Sequence, residues 1–275
     1  MKKFVLLFIL NFSFLFAHSQ AIKVKGSDTM LPMTQAMAEL FMDKNQGNII
    51  SVTGGGSGVG ITSLKNASCD LAMSSRSLKM SEKMTFKNEG KDYVEKIVAY
   101  DALSIIVHPS NKIEKLTKEQ IEGIFTGRIT NWKELGGDDM KIVVYTRESS
   151  SGTYEFMKSL VMDDKEFVKT AITSASNSGI VQSVSQTKGA IGYCGIAYLE
   201  EVIKPLQVSF DGKNYVKSTF KNALDKTYPI LRPLYFYYLK ANETKVKPFI
   251  DFTLTELGQK LITHKGYIPT FQVAN

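Results

Sequence analysis

Residues Asn48–Ser77 read NIISVTGGGSGVGITSLKNASCDLAMSSRS. Asn48–Thr53 is a short run rich in β-branched residues, and it stops at a glycine loop, Gly54–Gly60. A helical pattern through Ile61 and Leu64 follows. Asp70–Met73 is a second strand-like run, ending in Ser74-Ser-Arg-Ser77. The order is therefore strand, loop, helix, strand, loop. Upstream, Ile22–Val24 reads as a strand ending at Gly26–Thr29. Pro32 then opens a helix in which Met33, Ala36, Met37, Leu40 and Phe41 recur at the spacing of one buried face. The βαβαβ order of Ile22–Ser77 predicts an α/β fold built on a parallel sheet.

The same strand–loop–helix theme returns later in the chain without repeating the sequence, which predicts two α/β lobes. Val94–His108 is a long apolar strand. Thr117 and Gln120 form a capping box for a helix over Lys118–Phe125. Ile142–Tyr145 is a strand leading into Arg147, and TRESSSGTY (Thr146–Tyr154) opens a helix over Thr153–Val161. Ile180–Gln186 reads as a helix, Gly189–Ala197 and Tyr228–Leu239 as strands, and Phe249–Ile262 as largely helical with Gly266 at its end.

Met1–Lys3 is basic, Phe4–Phe16 is apolar apart from Asn11 and Ser13, and Ala17 and Ser19 are small residues at signal-peptidase spacing. A signal peptide over residues 1–19, cleaved near Ser19 to Ala21, is expected, and no cysteine stands there to carry a lipid anchor. Without Lys2 and Lys3 the formal charge falls from +7 to +5. The basic residues are nearly all scattered lysines, which describes a solvated surface and no nucleic-acid stripe. Cys69 and Cys194 each sit in an apolar segment. Burial as free thiols and pairing as a disulfide are both open on sequence.

Four segments at strand C-termini combine glycine, hydroxyl side chains and helix starts: Ser27–Thr29, Gly56–Gly58, Ser74–Arg76 and Arg147–Thr153. Unpaired N–H groups at helix starts, together with rotatable hydroxyls, suit an anion. Arg76 and Arg147, two of only four arginines, fall within these segments. Arginine presents the fork suited to oxyanions. Arg128 and Arg232, beside Gly127 and Pro233, read as structural. TGGGSGVG lacks the glycine spacing of a dinucleotide fingerprint and the lysine of a nucleotide phosphate loop. Beyond the leader only His108 and His264 are present, and neither lies beside a serine motif or a carboxylate pair. Enzyme chemistry is poorly supplied, and no cofactor or metal is expected.

The segments GSDTMLP, TGGGSGVG, CDLAMSSRSL, LTKEQIEGIFTGRITNWKELGG, TRESSSGTYEF, GAIGYCGIAYL and GYIP stand in an order that resembles the phosphate-binding components of bacterial ABC-type phosphate importers. The resemblance implies a two-lobe periplasmic-binding-protein-like fold of type II, with mixed, mostly parallel sheets and a ligand cleft between the lobes. Lobe 1 is expected over 20–102 and 229–275, and lobe 2 over 103–228. It also implies a monomer in the periplasm that captures inorganic phosphate and passes it to an inner-membrane ABC permease. By resemblance the phosphate donors are Ser27, Thr29, the Met30 backbone, Ser57, Ser75, Arg76, Arg147, Ser151, Gly152 and Thr153. Family members commonly place an aspartate where Ser75 stands, as proton acceptor, and another where Ser149 stands. Asp28 and Glu148 are the nearby carboxylates, with Asp28 favoured. Sulfate or a phosphonate is the alternative ligand, a secreted phosphoester-processing enzyme a different class, and an adhesion protein with merely flexible loops a third.

Overall fold

The computed structural model describes residues 21–272, and the expected signal peptide lies outside them. The elements β1 (Ile22–Gly26), α1 (Leu31–Lys44), β2 (Ile50–Thr53), α2 (Ser57–Lys65) and β3 (Leu71–Ser74) follow the predicted βαβαβ order. Strand β1 lies between β2 and β3 and is parallel to both, with Ile22 opposite Ile50 and Val24 opposite Leu71. Helix α1 buries Met33, Thr34, Met37, Ala38 and Phe41, while Ala36 and Leu40 are only half-buried. The stripe is rotated from the expected one because α1 is wedged between the sheet and two C-terminal helices. A helix absent from the sequence reading, α3 (Met80–Asn88), buries only Phe86, so it has almost no periodic apolar signal.

The chain continues through β4 (Tyr93–Val107), β5 (Lys115–Thr117), α4 (Lys118–Phe125), β6 (Val143–Arg147), α5 (Gly152–Phe156), β7 (Ile172–Ser174), α6 (Asn177–Gln186) and β8 (Ala190–Gly195). It ends through β9 (Lys204–Pro205), β10 (Gln207–Ser209), α7 (Phe220–Leu224), β11 (Leu231–Leu239), α8 (Glu243–Thr253) and α9 (Glu256–His264). The main sheet has the order β2-β1-β3-β11-β4-β8-β6-β7, with β9 also on β4. It is mixed, with parallel pairs at both ends and antiparallel pairs through the middle.

Strand β4 is the device that joins the two halves. Its first part, through Ala102, pairs with β11, and Leu103–Val107 pair with β8. Each half of the sheet is covered on both faces, as a doubly wound sheet requires. Phe41, Leu71, Phe236 and Phe249 fill one face of the first half, and Ile61, Leu64, Phe86 and Tyr237 the other. In the second half Phe125, Trp132, Met157 and Tyr193 pack on one face, with Ile180, Val184 and Cys194 on the other.

The family-like segment around IFTGRITNWKELGG is scaffold. The Thr117–Gln120 capping box forms as read, with N–H···O distances of 2.9 and 3.2 Å. The Trp132 indole N–H donates to the Gly189 carbonyl at 3.0 Å, which lets a large aromatic be fully buried. The helix expected over Thr153–Val161 is α5 followed by a π-turn at Met157–Val161. Cys69 and Cys194 are free and buried in different apolar groups, which answers the disulfide question. Burial, aided by Asp70, pushes the Cys69 thiol up to about 12.

Candidate functional site

The strand-end loops converge where the two halves meet. After β1, Ser27 opens a short turn, Asp28–Met30, and its N–H donates to the Met73 carbonyl at 2.9 Å. After β2, the glycine loop delivers Ser57 at the start of α2, and after β3 the chain presents Ser75. The Ser75 N–H donates to Ser57 Oγ at 3.0 Å. From the other half, Ser151 caps α5 by accepting the N–H groups of Thr153 and Tyr154 at 3.2 and 3.4 Å.

These loops touch directly. The Thr29 and Thr153 hydroxyls lie 2.8 Å apart, and the Gly58 N–H donates to the Ser150 carbonyl at 2.9 Å. A Cβ on Gly152 would fall 2.3 Å from Ser57 Oγ and 2.5 Å from Ser75 Oγ, so glycine is what lets the halves approach this closely. Ser27, Thr29, Ser57, Ser75, Ser151 and Thr153 are all buried.

Two guanidinium groups reach this point. Arg147, at the end of β6, is 1% exposed. Its Nε and Nη2 donate to the carbonyls of Ser174 and Ala175 at 3.1 and 2.6 Å, and Nη2 lies 3.4 Å from Asp28 Oδ2. Nη1 is buried with no hydrogen-bond acceptor among the described residues. Burial pulls the Arg147 pKa down against the pull of Asp28, yet a guanidinium stays charged at neutral pH. Asp28 Oδ2 accepts both the N–H and the Nδ2–H of Asn177, at 3.0 and 3.1 Å, and the Tyr198 hydroxyl donates to the Asp28 carbonyl at 2.8 Å.

The second guanidinium is Arg232, opposite Asp101 on the paired strands β11 and β4. Nε and Nη2 donate to Asp101 Oδ2 at 3.1 and 2.8 Å. Nη1 donates to the Ser75 carbonyl at 3.3 Å, and Nη2 reaches Thr153 Oγ1 at 3.0 Å and Thr29 Oγ1 at 3.4 Å. Burial raises the Asp101 pKa, and Arg232 opposes that shift. A groove of about 400 Å³ reaches Arg232 from outside, between Arg76–Lys79 and Glu155–Ser159. The Lys79–Glu155 ion pair, 2.8 Å long, joins its two walls.

The fork of Arg76 grips Glu82 at 2.8 and 2.7 Å and its Nη1 also donates to the Ser77 carbonyl, while its Nε is buried with no hydrogen-bond partner among the described residues and the residue lines the groove that leads to Arg232. Two expectations need correction. The Met30 N–H is taken by the Ser27 carbonyl at 3.1 Å, closing the turn. Arg232, read as structural, is the second guanidinium at the centre. Glu148 is exposed and has no place there, whereas Asp28 does. Asn177, Asp101 and Tyr198 were missed. Asn177 had a usable signal, since SASNSG (Ser174–Gly179) is another polar strand-end loop opening a helix. His108 lies elsewhere, exchanging a hydrogen bond with Ser110.

Buried polar groups are almost always paired. Here Arg147 Nη1 lacks an acceptor among the described residues, and hydroxyls from both halves meet close to its partner Asp28, Thr29 against Thr153 at 2.8 Å. Hydroxyls and guanidinium groups can donate together to an acceptor-rich guest, so the arrangement suits a small oxyanion. Among the described residues no cluster of His, Cys, Asp and Glu could hold a metal ion, and no helix is long and apolar enough to cross a membrane.

Comparison with known proteins points the same way. A family profile described as PBP superfamily domain matches residues 17–256. The phosphate-binding protein PstS of Bacillus subtilis is 33% identical over 252 residues, covering 91% of this chain and 81% of its own. PstS of Borreliella burgdorferi is 31% identical over 281 residues, covering 97% and 98%. Among solved structures, a phosphate ABC transporter substrate-binding protein from Clostridium perfringens with bound phosphate superposes with a TM-score of 0.84 at 34% identity, covering 92% of this chain and all of its own. An ABC-type phosphate transport receptor from Vibrio cholerae gives 0.74 at 34% identity, with 90% and 99% covered.

Proposed function

The chain belongs to the PBP superfamily, and from that premise we propose that it captures inorganic phosphate between its two lobes and delivers it to an ABC-type importer. It is a transport component and not an enzyme. The observation that carries this reading is the buried Arg147 Nη1, with no acceptor among the described residues, on a guanidinium that lies 3.4 Å from Asp28, next to the Thr29 hydroxyl that meets Thr153 of the other half. The relatives named for phosphate add the identity of the anion.

The proposed ligands are Ser27, Thr29, Ser57, Ser75, Arg147, Ser151, Gly152 and Thr153. At neutral pH phosphate carries a proton and sulfate does not, so selectivity needs an acceptor. Ser75 cannot play that part as an ionised acid would. Asp28 is the proposed acceptor: Asn177 occupies its Oδ2, leaving Oδ1 for the ligand's proton. The lobe boundaries belong to the same proposal, at the change of partner in β4 after Ala102 and at the return near 229. So do export by the N-terminal segment, cleavage near Ser19 to Ala21, a periplasmic monomer and an inner-membrane permease as partner.

Isothermal titration of the mature chain with phosphate and then sulfate tests the reading. Saturable heat with phosphate and none with sulfate is expected. Heat with sulfate or a phosphonate but none with phosphate would reassign the ligand, and that outcome has a motive in Ser75.

A further inference from the structure

We propose that Arg232, anchored by Asp101, is a positioning residue of the anion site that orients the Thr29 and Thr153 hydroxyls so that the Thr153 proton is left for the anion. This rests on the oxyanion reading above but adds a role for a residue outside the proposed ligand set.

A hydroxyl has one proton to give and two lone pairs to fill. Thr29 Oγ1 receives Asn177 Nδ2–H at 3.3 Å and Arg232 Nη2–H at 3.4 Å. Neither group can accept in return. The Asn177 amide is held in this orientation because Asp28 Oδ2 beside it is an obligate acceptor. Both lone pairs of Thr29 are filled, so its proton points at Thr153 Oγ1, 2.8 Å away. Thr153 Oγ1 in turn receives that proton and Arg232 Nη2–H at 3.0 Å. Its own proton then has no acceptor among the described hydrogen bonds.

Without Arg232 the chain of donors could run either way, and Thr153 could turn a lone pair toward an incoming anion. With Arg232 it runs one way, and each bond polarises the next. Nη2 has two hydrogens: one serves Asp101 at 2.8 Å, and the other is shared between the two threonines. Asp101 fixes the fork from the neighbouring strand, at 0% exposure. Arg232 thus acts through Thr153, 79 residues away in sequence, from a point where both halves of the sheet meet.

The rival role is purely structural, a buried ion pair that holds β4 to β11. A double-mutant cycle separates the two. Arg232→Gln with Asp101→Asn removes the charges together and leaves no lone buried charge. Thr153→Val removes the hydroxyl at nearly constant shape. Phosphate affinity is measured by titration calorimetry in both backgrounds, with anion-free melting as the stability control. The paired swap is expected to weaken binding roughly 10- to 100-fold when Thr153 is present and less than about threefold when it is valine. Equal factors in the two backgrounds, or no weakening, would overturn the proposal. If the swap does not melt cooperatively, Arg232→Lys, which keeps the charge but loses the fork, replaces it with the same criterion. If the unaltered protein binds sulfate and not phosphate, the ligand assignment fails while the cycle runs on sulfate. If no oxyanion binds, both fall.

Discussion

Gly152→Ala should block closure of the two lobes without harming the fold of either. The added Cβ would sit 2.3 Å from Ser57 Oγ, 2.5 Å from Ser75 Oγ and 3.0 Å from Ser57 Cβ. Rotating a hydroxyl does not relieve this, because Ser57 Oγ is held by the Ser75 N–H at 3.0 Å and the Cβ contact remains. Restoring ordinary contact requires the facing loops to retreat by about 1 Å. The Thr29–Thr153 pair at 2.8 Å, Gly58–Ser150 at 2.9 Å and Arg232–Thr153 at 3.0 Å would then lie outside hydrogen-bond range. Three net hydrogen bonds amount to about 2–4 kcal/mol, so phosphate should bind about 30- to 1000-fold more weakly. Gly152 is the first residue of α5, where alanine favours the helix, so anion-free melting should hold or rise slightly. Titration calorimetry gives the affinity, and small-angle scattering at saturating phosphate reports compaction. Unchanged affinity together with full compaction would refute the closed geometry as the binding state.

Arg147→Ala removes the buried charged donor and should weaken phosphate binding by at least ~2 kcal/mol, about 30-fold, in the same titration; a loss under about threefold would contradict its role. Burial pushes the Glu82 carboxyl up, but its bonds to Arg76 and to the Lys79 N–H outweigh that and hold it below the ordinary 4.5. A depressed acid stabilises the fold in full above its unfolded value and loses that contribution as pH falls through the folded one. The melting-temperature gap between the natural protein and Glu82→Gln should therefore stay constant above about pH 5.5 and shrink below it. A gap that widens in acid would be the wrong sign. Cys69 and Cys194 should be silent to a thiol reagent in the native protein and should both titrate after unfolding without reductant; a reductant requirement would mean a disulfide.

How much of the fold was legible depended on which residues carried the pattern. The first βαβαβ unit was readable because Ile22–Val24, Asn48–Thr53 and Asp70–Met73 are short apolar runs punctuated by glycine and serine. Capping chemistry placed α4 to the residue, since Thr117 and Gln120 satisfy each other's backbone N–H groups whatever lies around them. α3 was not legible, for its helix rests on capping and on Glu82 instead of an apolar stripe. The π-turn after α5 left no mark in the sequence either.

The site divides along the same physical line. Loops that a helix start prepares locally, Ser57, Ser151 and Thr153 among them, could be read one segment at a time. Arginine scarcity pointed to Arg147 and Arg76 alike, yet Arg76 has a partner in Glu82, only six positions on, that ties its fork down locally. Arg232 had no local signal, because its meaning comes from Asp101, 131 residues earlier and opposite it in the sheet. The carboxylate nearest Arg147 is likewise displaced. The resemblance implies an aspartate where Ser149 stands, and in this chain Asp28, from the first half of the sheet, lies 3.4 Å from Nη2. A carboxylate on the arginine's own loop would orient the guanidinium whether the lobes were open or closed. Here the guanidinium is already held within its own half by the Ser174 and Ala175 carbonyls, and the facing half adds the charge of Asp28 beside it.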